Sequence, residues 1–337
     1  MGNPVKMKVM NTRKIIFLCL MAFGATGMIM AQNQPNSKPP QGKKITLYPD
    51  KIDTSKRMKP GSNTLPPPAE TVIMNANKDK NKELTPQQKV AQTLYHEGLK
   101  KAKEANYDAA IEDFTKSIQA AENTISYTNR GFCYMALSQY SLAIEDATKA
   151  IGLSNSNAKA YYIRGACKFL LDDYEGAEKD LTTTQVLDHK NPAAYNYMAA
   201  VKVIKKDYQG ALDNYNNVAK LDSSFSDVFT NRGMVRHYLQ DYKGAILDYN
   251  IALKRDPKNQ SAYNNRGAAK MMLKDYSGAL LDFDKAIELN SSYADAFNNR
   301  GRAKQNIGDM TGACNDWNRA FDLGIVASKD LIIKYCK

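Results

Sequence analysis

The sequence predicts an all-α fold, a solenoid of stacked helix-turn-helix hairpins spanning residues 87–327. Three series of residues predict it. Glycines stand at Gly98, Gly131, Gly165, Gly233, Gly267 and Gly301, with Ala199 in the slot midway between Gly165 and Gly233, so the step is 33 once and 34 thereafter. Tyr107, Tyr140, Tyr174, Tyr208, Tyr242, Tyr276 and Met310 keep the same register, and so do Ala110, Ala143, Ala177, Ala211, Ala245, Ala279 and Ala313. Four residues past each alanine comes a larger side chain, Phe114, Leu181, Tyr215, Tyr249, Phe283 and Trp317, with Ala147 as the exception. A fixed period of this length belongs to a repeat array.

Within a unit, an apolar-periodic stretch such as the one around Tyr263 to Leu273 reads as a first helix of about 14 residues. Lys274 to Gly278 reads as a polar turn, and a second helix is expected from Ala279 to Leu289. Glycine or alanine facing an aromatic knob lets two helices approach closely. Neither helix buries its stripe alone, so the units must stack.

Arg130, Arg164, Arg232, Arg266 and Arg300 share one slot, and sixteen residues later stand Asp146, Asp180, Asp248, Asp282 and Asp316. The unit that lacks the arginine, with Met198, also lacks the aspartate, with Asn214. This joint absence predicts that each arginine pairs with the aspartate of its own hairpin as a structural ion pair. In the first unit Glu97 faces Asp113 instead. Leu323 and Gly324 should end the last second helix, and Val326 to Tyr335 should form a capping helix, with residues 328–337 as its end. If that helix folds back antiparallel, Cys314 and Cys336 meet in a disulfide. Cys133 and Cys167 occupy one slot in adjacent units, about 10 Å apart, and are expected to be buried free thiols.

The unit, with Tyr or Phe near its start, Gly at the eighth position, Ala at the twentieth, an aromatic at the twenty-fourth and Ala at the twenty-seventh (Ala150, Ala252, Ala286, Ala320), resembles the tetratricopeptide repeat. Seven units fall at 91–123, 124–157, 158–191, 192–225, 226–259, 260–293 and 294–327. The resemblance implies a right-handed α-solenoid whose first helices line a concave groove that grips extended peptides. Carried over by register, position six gives Asn129, Asn231, Asn265 and Asn299, and position five gives Asn196, Asn264 and Asn298. A ladder of amides could donate to and accept from a peptide backbone, although asparagine before Arg-Gly is also a scaffold filler in such repeats. Ile163 and Tyr197 interrupt the ladder and leave an apolar middle with Tyr162, Phe169 and Tyr238. Phe132, Ala166 and Ala200 at the ninth position break the pattern that grips a terminal carboxylate, so carboxylate capture is not expected.

Ahead of the repeats, Lys6, Lys8, Arg13 and Lys14 precede an apolar stretch from Ile15 to Phe23 and a segment ending at Ala31. This is the layout of a signal peptide over residues 1–31, with cleavage after Ala31. An uncleaved anchor is the alternative, for which Ile15 to Met30 is short. Residues 32–86 hold nine of the twelve prolines and read as a disordered arm. It is either a spacer or a docking segment drawn to an anionic surface. The net charge of +12 divides into +4 for residues 1–31, +5 for 32–86 and +3 for 87–337. The folded region therefore has no basic field, and no nucleic-acid partner is expected.

His96, His189 and His237 are scattered, and no phosphate loop, serine elbow or metal-ligand spacing appears. No cofactor, metal site or catalytic constellation is expected. The sequence predicts an exported, mostly monomeric, non-enzymatic scaffold that binds protein or peptide segments, in the periplasm, at the outer membrane or secreted, without a membrane span once the signal is removed. The second reading is a structural subunit of an envelope secretion or assembly complex that uses its convex face and basic arm. The third, an enzyme or glycan binder, would need a pocket that the sequence does not announce.

Overall fold

The structure, a computed structural model, describes residues 84–222 and 226–336. The signal segment and all but the last residues of the arm lie outside the described residues. Seven hairpins and a final helix follow one another. The first helices are α1 (Pro86–Lys103), α3 (Thr124–Ala136), α5 (Ala158–Leu170), α7 (Pro192–Ile204), α9 (Ser226–Tyr238), α11 (Gln260–Met272) and α13 (Ala294–Asn306). Their partners are α2 (Tyr107–Ala120), α4 (Tyr140–Leu153), α6 (Tyr174–Leu187), α8 (Tyr208–Leu221), α10 (Tyr242–Arg255), α12 (Tyr276–Leu289) and α14 (Met310–Asp322), and α15 (Ser328–Tyr335) closes the array.

Local chemistry sets the ends of each helix. In six hairpins the residue before the second helix is an N-cap whose side chain accepts from a backbone N–H three residues on, as with Asp173 and Gly176, Asp241 and Gly244, and Asp275 and Gly278, whereas Gln139 makes no such bond. Just before it, one residue per turn takes a left-handed conformation, including Ser138, Asp172, Lys274 and Gly308. That residue lets the preceding helix close with a bond from the N-cap N–H to a carbonyl five residues back, as from Gln139 to Tyr134. The second helices therefore begin at the tyrosine rather than at the alanine three residues later, so Tyr276 to Gly278 are helical and not part of the turn. Similarly, Pro86 is the first residue of α1 rather than the last of the arm. Thr85 and Gln88 form a reciprocal capping box there.

The interior follows from the glycine, alanine and aromatic series. All seven alanines of the third series are fully buried, and so are Phe114, Leu181, Tyr215, Tyr249, Phe283 and Trp317. The facing glycine is required at close approach: a Cβ on Gly233 would come 2.8 Å from Tyr249, and one on Gly301 would come 2.6 Å from Trp317. Each hairpin then packs on the next, and neighbouring first helices touch directly, α1 on α3, α3 on α5, α5 on α7, α9 on α11 and α11 on α13. The first helices thus share one face of the solenoid.

The close approach can be tested at two glycines. A Cβ on Gly301 would also lie 3.1 Å from the carbonyl of Ala313, whereas one on Gly152 meets nothing within 4 Å. Gly301→Ala should lower stability by about 1–3 kcal/mol, and Gly152→Ala should raise it by about 0.5–1 kcal/mol. Urea unfolding of the two variants beside wild type checks both signs.

Candidate functional site

The first-helix face contains the asparagines expected to form a groove ladder, and most of them are buried. Asn129, Asn264, Asn265, Asn298 and Asn299 are at most 3% exposed and Asn231 is 8% exposed, whereas Asn196 is half-buried. Their amides bond across helices. Asn299 Nδ2 donates to Asn264 Oδ1 at 3.0 Å, and Asn264 Nδ2 donates to Asn265 Oδ1 at 3.2 Å. Asn129 Nδ2 donates to the Ile125 carbonyl at 3.0 Å and reaches the Tyr95 hydroxyl at 3.4 Å. Ser328 of the capping helix donates to Asn298 Oδ1 at 3.2 Å. Asn129, Asn264 and Asn299 therefore tie hairpin to hairpin and Asn298 meets the capping helix, and the register that aligned them says nothing of their depth.

The middle of the face is aromatic, as the interruption of the ladder suggested. Tyr197 meets Tyr162 and Phe169 edge to face, with centroids 6.1 and 5.5 Å apart, and all three rings are buried. On the same helices and the next first helix, the half-buried Lys159 of α5, Asn196 and Val203 of α7 and the 40%-exposed Tyr238 of α9 remain reachable. Tyr238 stacks on Tyr208 at 4.6 Å. Lys159 donates to Asn129 Oδ1 at 3.2 Å and lies 5.4 Å from the centre of the Phe132 ring. Burial pulls its ammonium down to about 8, and burial pushes the thiols of Cys133 and Cys167 up to about 12. Both thiols are buried and free, and thiols raised in this way are poor nucleophiles.

The arginine slot is built as a fork. Arg130, Arg164, Arg232, Arg266 and Arg300 each hold the aspartate of their own hairpin with two bonds, from Nε and Nη2 to Asp146, Asp180, Asp248, Asp282 and Asp316, at 2.6–3.0 Å. The third nitrogen reaches back to the previous second helix, to Thr115, Thr148, Asn216, Asn250 and Asp284 respectively. A second cation four residues after the arginine joins four of the aspartates: Lys168 on Asp180, Arg236 on Asp248, Lys270 on Asp282 and Lys304 on Asp316. That cation is legible in the sequence as an i, i+4 partner of the arginine. In the first hairpin Lys101 holds Asp113 at 2.6 Å, so it is this second slot, and not Glu97, that answers Asp113.

At the C-terminal end Gly324 takes a positive φ of 102° after α14, and α15 begins at Ser328, two residues later than expected. Cys314 and Cys336 are joined by a disulfide, with their Cα atoms 5.6 Å apart. Tyr335 lies against Trp317, at 5.9 Å between ring centres. Among the described residues no three His, Cys, Asp or Glu side chains are placed to hold a metal, and no helix is long and apolar enough to cross a membrane.

The geometry defines a class, and comparison with known proteins agrees with it. Residues 125–157 and 261–293 each match a family model described as tetratricopeptide repeat, so two of the seven hairpins are tetratricopeptide repeats by sequence and the others share their architecture. It is 36% identical over 70 residues to the human mitochondrial import receptor subunit TOM34, a match covering 20% of this chain and 23% of that protein. The chain thus spans less than a quarter of the length of that relative. Its fold is similar to that of YrrB, a TPR protein with an unusual peptide-binding site, with a TM-score of 0.53 and 22% identity, covering 58% of this chain and 99% of that one. The C-terminal part of a TPR repeat-containing protein from Cytophaga hutchinsonii gives a TM-score of 0.54 and 19% identity over 70% of this chain and 98% of that one.

Two predictions follow from the side chains of this layer. Arg266→Met would leave Asp282 with Lys270 alone and strand Asn250, so it should cost about 2–4 kcal/mol. In a double-mutant cycle with Asp282→Asn the two losses should fall short of additive by about 1 kcal/mol or more in urea unfolding. The second prediction concerns pH. Burial holds the His237 imidazole down at about 4 from an ordinary value of 6.5. The unfolded chain therefore takes up this proton first, and as pH falls from 6.5 toward 4 the folded state loses stability. The thermal midpoint of wild type should fall more steeply across that window than that of His237→Gln.

Proposed function

We propose that this protein is a non-enzymatic scaffold that binds extended protein or peptide segments along the face made by its first helices. Tetratricopeptide repeats as a class serve protein–protein interaction, and YrrB, to which the fold is similar, has a peptide-binding site of its own. The observation that carries the reading is the middle of that face, where α5, α7 and α9 keep Lys159, Asn196, Val203 and Tyr238 reachable and α5 and α7 bury Tyr162, Phe169 and Tyr197 as a cluster. A firm aromatic floor under a few reachable polar groups suits a ligand held by its backbone and one or two apolar side chains. Asn129 joins α3 to α5 beside this floor by accepting from Lys159.

The layout of residues 1–31 supports export, with the scaffold acting in the periplasm or at the outer membrane, and residues 32–86 acting as an arm between the signal and the repeats. A second reading, a subunit of a larger envelope complex that uses its outer face, is favoured by one observation: the outward side of two hairpins is apolar where the others are charged.

A peptide-library selection on the full chain tests the groove. Selected peptides should lose about tenfold in affinity, or about 1.4 kcal/mol, with Asn196→Ala combined with Tyr238→Ala. Unchanged affinity for that variant would remove the groove as the binding face.

A further inference from the structure

The repeat supplies its own control for reading the outer surface. The slot two residues after each buried alanine of the Ala110 series points outward from the second helix, and in five hairpins it holds Glu112, Glu145, Lys179, Asp213 and Asn315. In the fifth and sixth hairpins it holds Leu247 and Leu281, which are 63% and 71% exposed. The slot four residues further on holds Lys116, Lys149, Thr183, Asn217, Lys285 and Arg319, but Ile251 in the fifth hairpin, where it is 37% exposed. Neither the interior nor the ion-pair layer uses these three side chains.

Their surroundings carry a sign of charge. On α10, Lys243, Leu247, Ile251 and Lys254 follow at helical spacing and share one face. Lys243 and Lys254 are exposed, and neither forms an ion pair among the described residues. The nearby carboxylates are engaged: Asp248 is buried under Arg232 and Arg236, Asp284 accepts from Arg300, and Glu288 holds Lys285. Asp241 caps α10 and lies 3.7 Å from Arg236. An apolar stripe therefore runs along α10, flanked by unanswered ammonium groups, and Leu281 occupies the equivalent outward slot of α12.

We infer that the outer face of the fifth and sixth hairpins is a docking site for an amphipathic helix of another protein, one whose apolar stripe is bordered by carboxylates. Leu247 and Ile251 are spaced i, i+4 and make one apolar ridge between Lys243 and Lys254 on α10, and Leu281 repeats the apolar outward slot on α12 of the next hairpin. Charge complementarity selects the occupant: glutamates or aspartates beside its stripe would meet Lys243 and Lys254. Three exposed side chains make a small contact, so the partnership belongs to the weak, exchangeable class. This inference does not depend on the groove.

The test uses the full chain and a synthetic helical peptide of roughly 18 residues, with leucines at i, i+4 and i+7 and glutamates beside them. A second peptide carries lysines in place of the glutamates. Fluorescence anisotropy should show the acidic helix binding at micromolar Kd, with a loss of about tenfold or more both for the lysine peptide and for Leu247→Glu combined with Leu281→Glu. These surface changes should leave the thermal midpoint in place, and Asn196→Ala with Tyr238→Ala should leave acidic-helix binding in place. A failure of the groove reading is therefore distinguishable from a failure here. Equal binding of both peptides, or binding untouched by the glutamate substitutions, overturns the inference. So does sedimentation showing that Leu247 and Leu281 instead join two copies of the chain, or anionic vesicles binding through the same residues in preference to the acidic helix.

Discussion

The array depends on a guanidinium held between two hairpins. Hydrophobic stacking alone gives a solenoid of alternating helices but leaves the rotation between hairpins loosely set, because alanine and leucine surfaces slide over one another at little cost. The arginine fork removes that freedom. Two of its bonds are spent on the aspartate of its own hairpin, as from Arg232 to Asp248, and the third fixes the second helix behind it, as at Asn216. The ring four residues into the first helix lies close to the guanidinium, with Tyr161 at 5.5 Å from Arg164 and Phe297 at 5.3 Å from Arg300. With the aspartate almost fully buried, losing the arginine would leave its charge with at most one remaining cation and fewer hydrogen bonds, so the arrangement is retained as a whole or replaced as a whole.

The fourth hairpin shows such a replacement. Met198 and Asn214 stand where the fork would be, and other groups link it to the third hairpin. Gln185 donates to Asn214 at 2.9 Å, and Glu178 takes Lys202 at 2.9 Å and Lys205 at 2.6 Å. Hydrogen bonding from Lys205 and then Lys202 holds the Glu178 carboxyl below its usual range. Neutral amides and half-exposed ion pairs thus take the place of a sequestered one. Exposed pairs are screened by salt and contribute little, so this junction relies more on its apolar contacts than its neighbours do. The aromatic centre of the first-helix face lies beside it, with Tyr197 on the same helix as Met198.

Much of this was legible in the sequence because a repeated unit states each structural requirement several times. The glycine facing an aromatic, the buried alanine and the arginine with its aspartate each recur at one spacing, and the joint loss of Arg and Asp in one unit pointed to their contact before any coordinates. Depth was not legible. Register places Asn264 and Asn299 on the inner side of their helices, but how closely neighbouring first helices approach decides whether such a side chain faces solvent or the next helix, and no residue spacing encodes that distance. Helix starts were misread for a related reason: Asp, Tyr, Ser and Gly have turn composition, yet an aspartate that accepts from the glycine N–H three residues on makes the same four residues a helical first turn. The second cation, at Lys168, Lys270 and Lys304, went unread because a lysine on a helix is ordinarily solvated, and only the aspartate brought in by the second helix gives it a partner.

The same redundancy separates scaffold from function. Where a residue type recurs in every unit, the fold is sufficient cause for it, as with the arginines and the alanines. Where a unit departs, either a structural replacement accompanies the change or it does not. Met198 and Asn214 come with Gln185, Lys202 and Lys205, so that departure is accounted for within the fold. Leu247, Ile251 and Leu281 on the outer face come with no such replacement inside the chain, whereas Tyr238 on the inner one stacks on Tyr208 and still keeps 40% of its surface exposed. Side chains that cost solvation and that no neighbour covers have no cause in the stability of this molecule alone. Their cause must therefore lie in the surfaces that they meet.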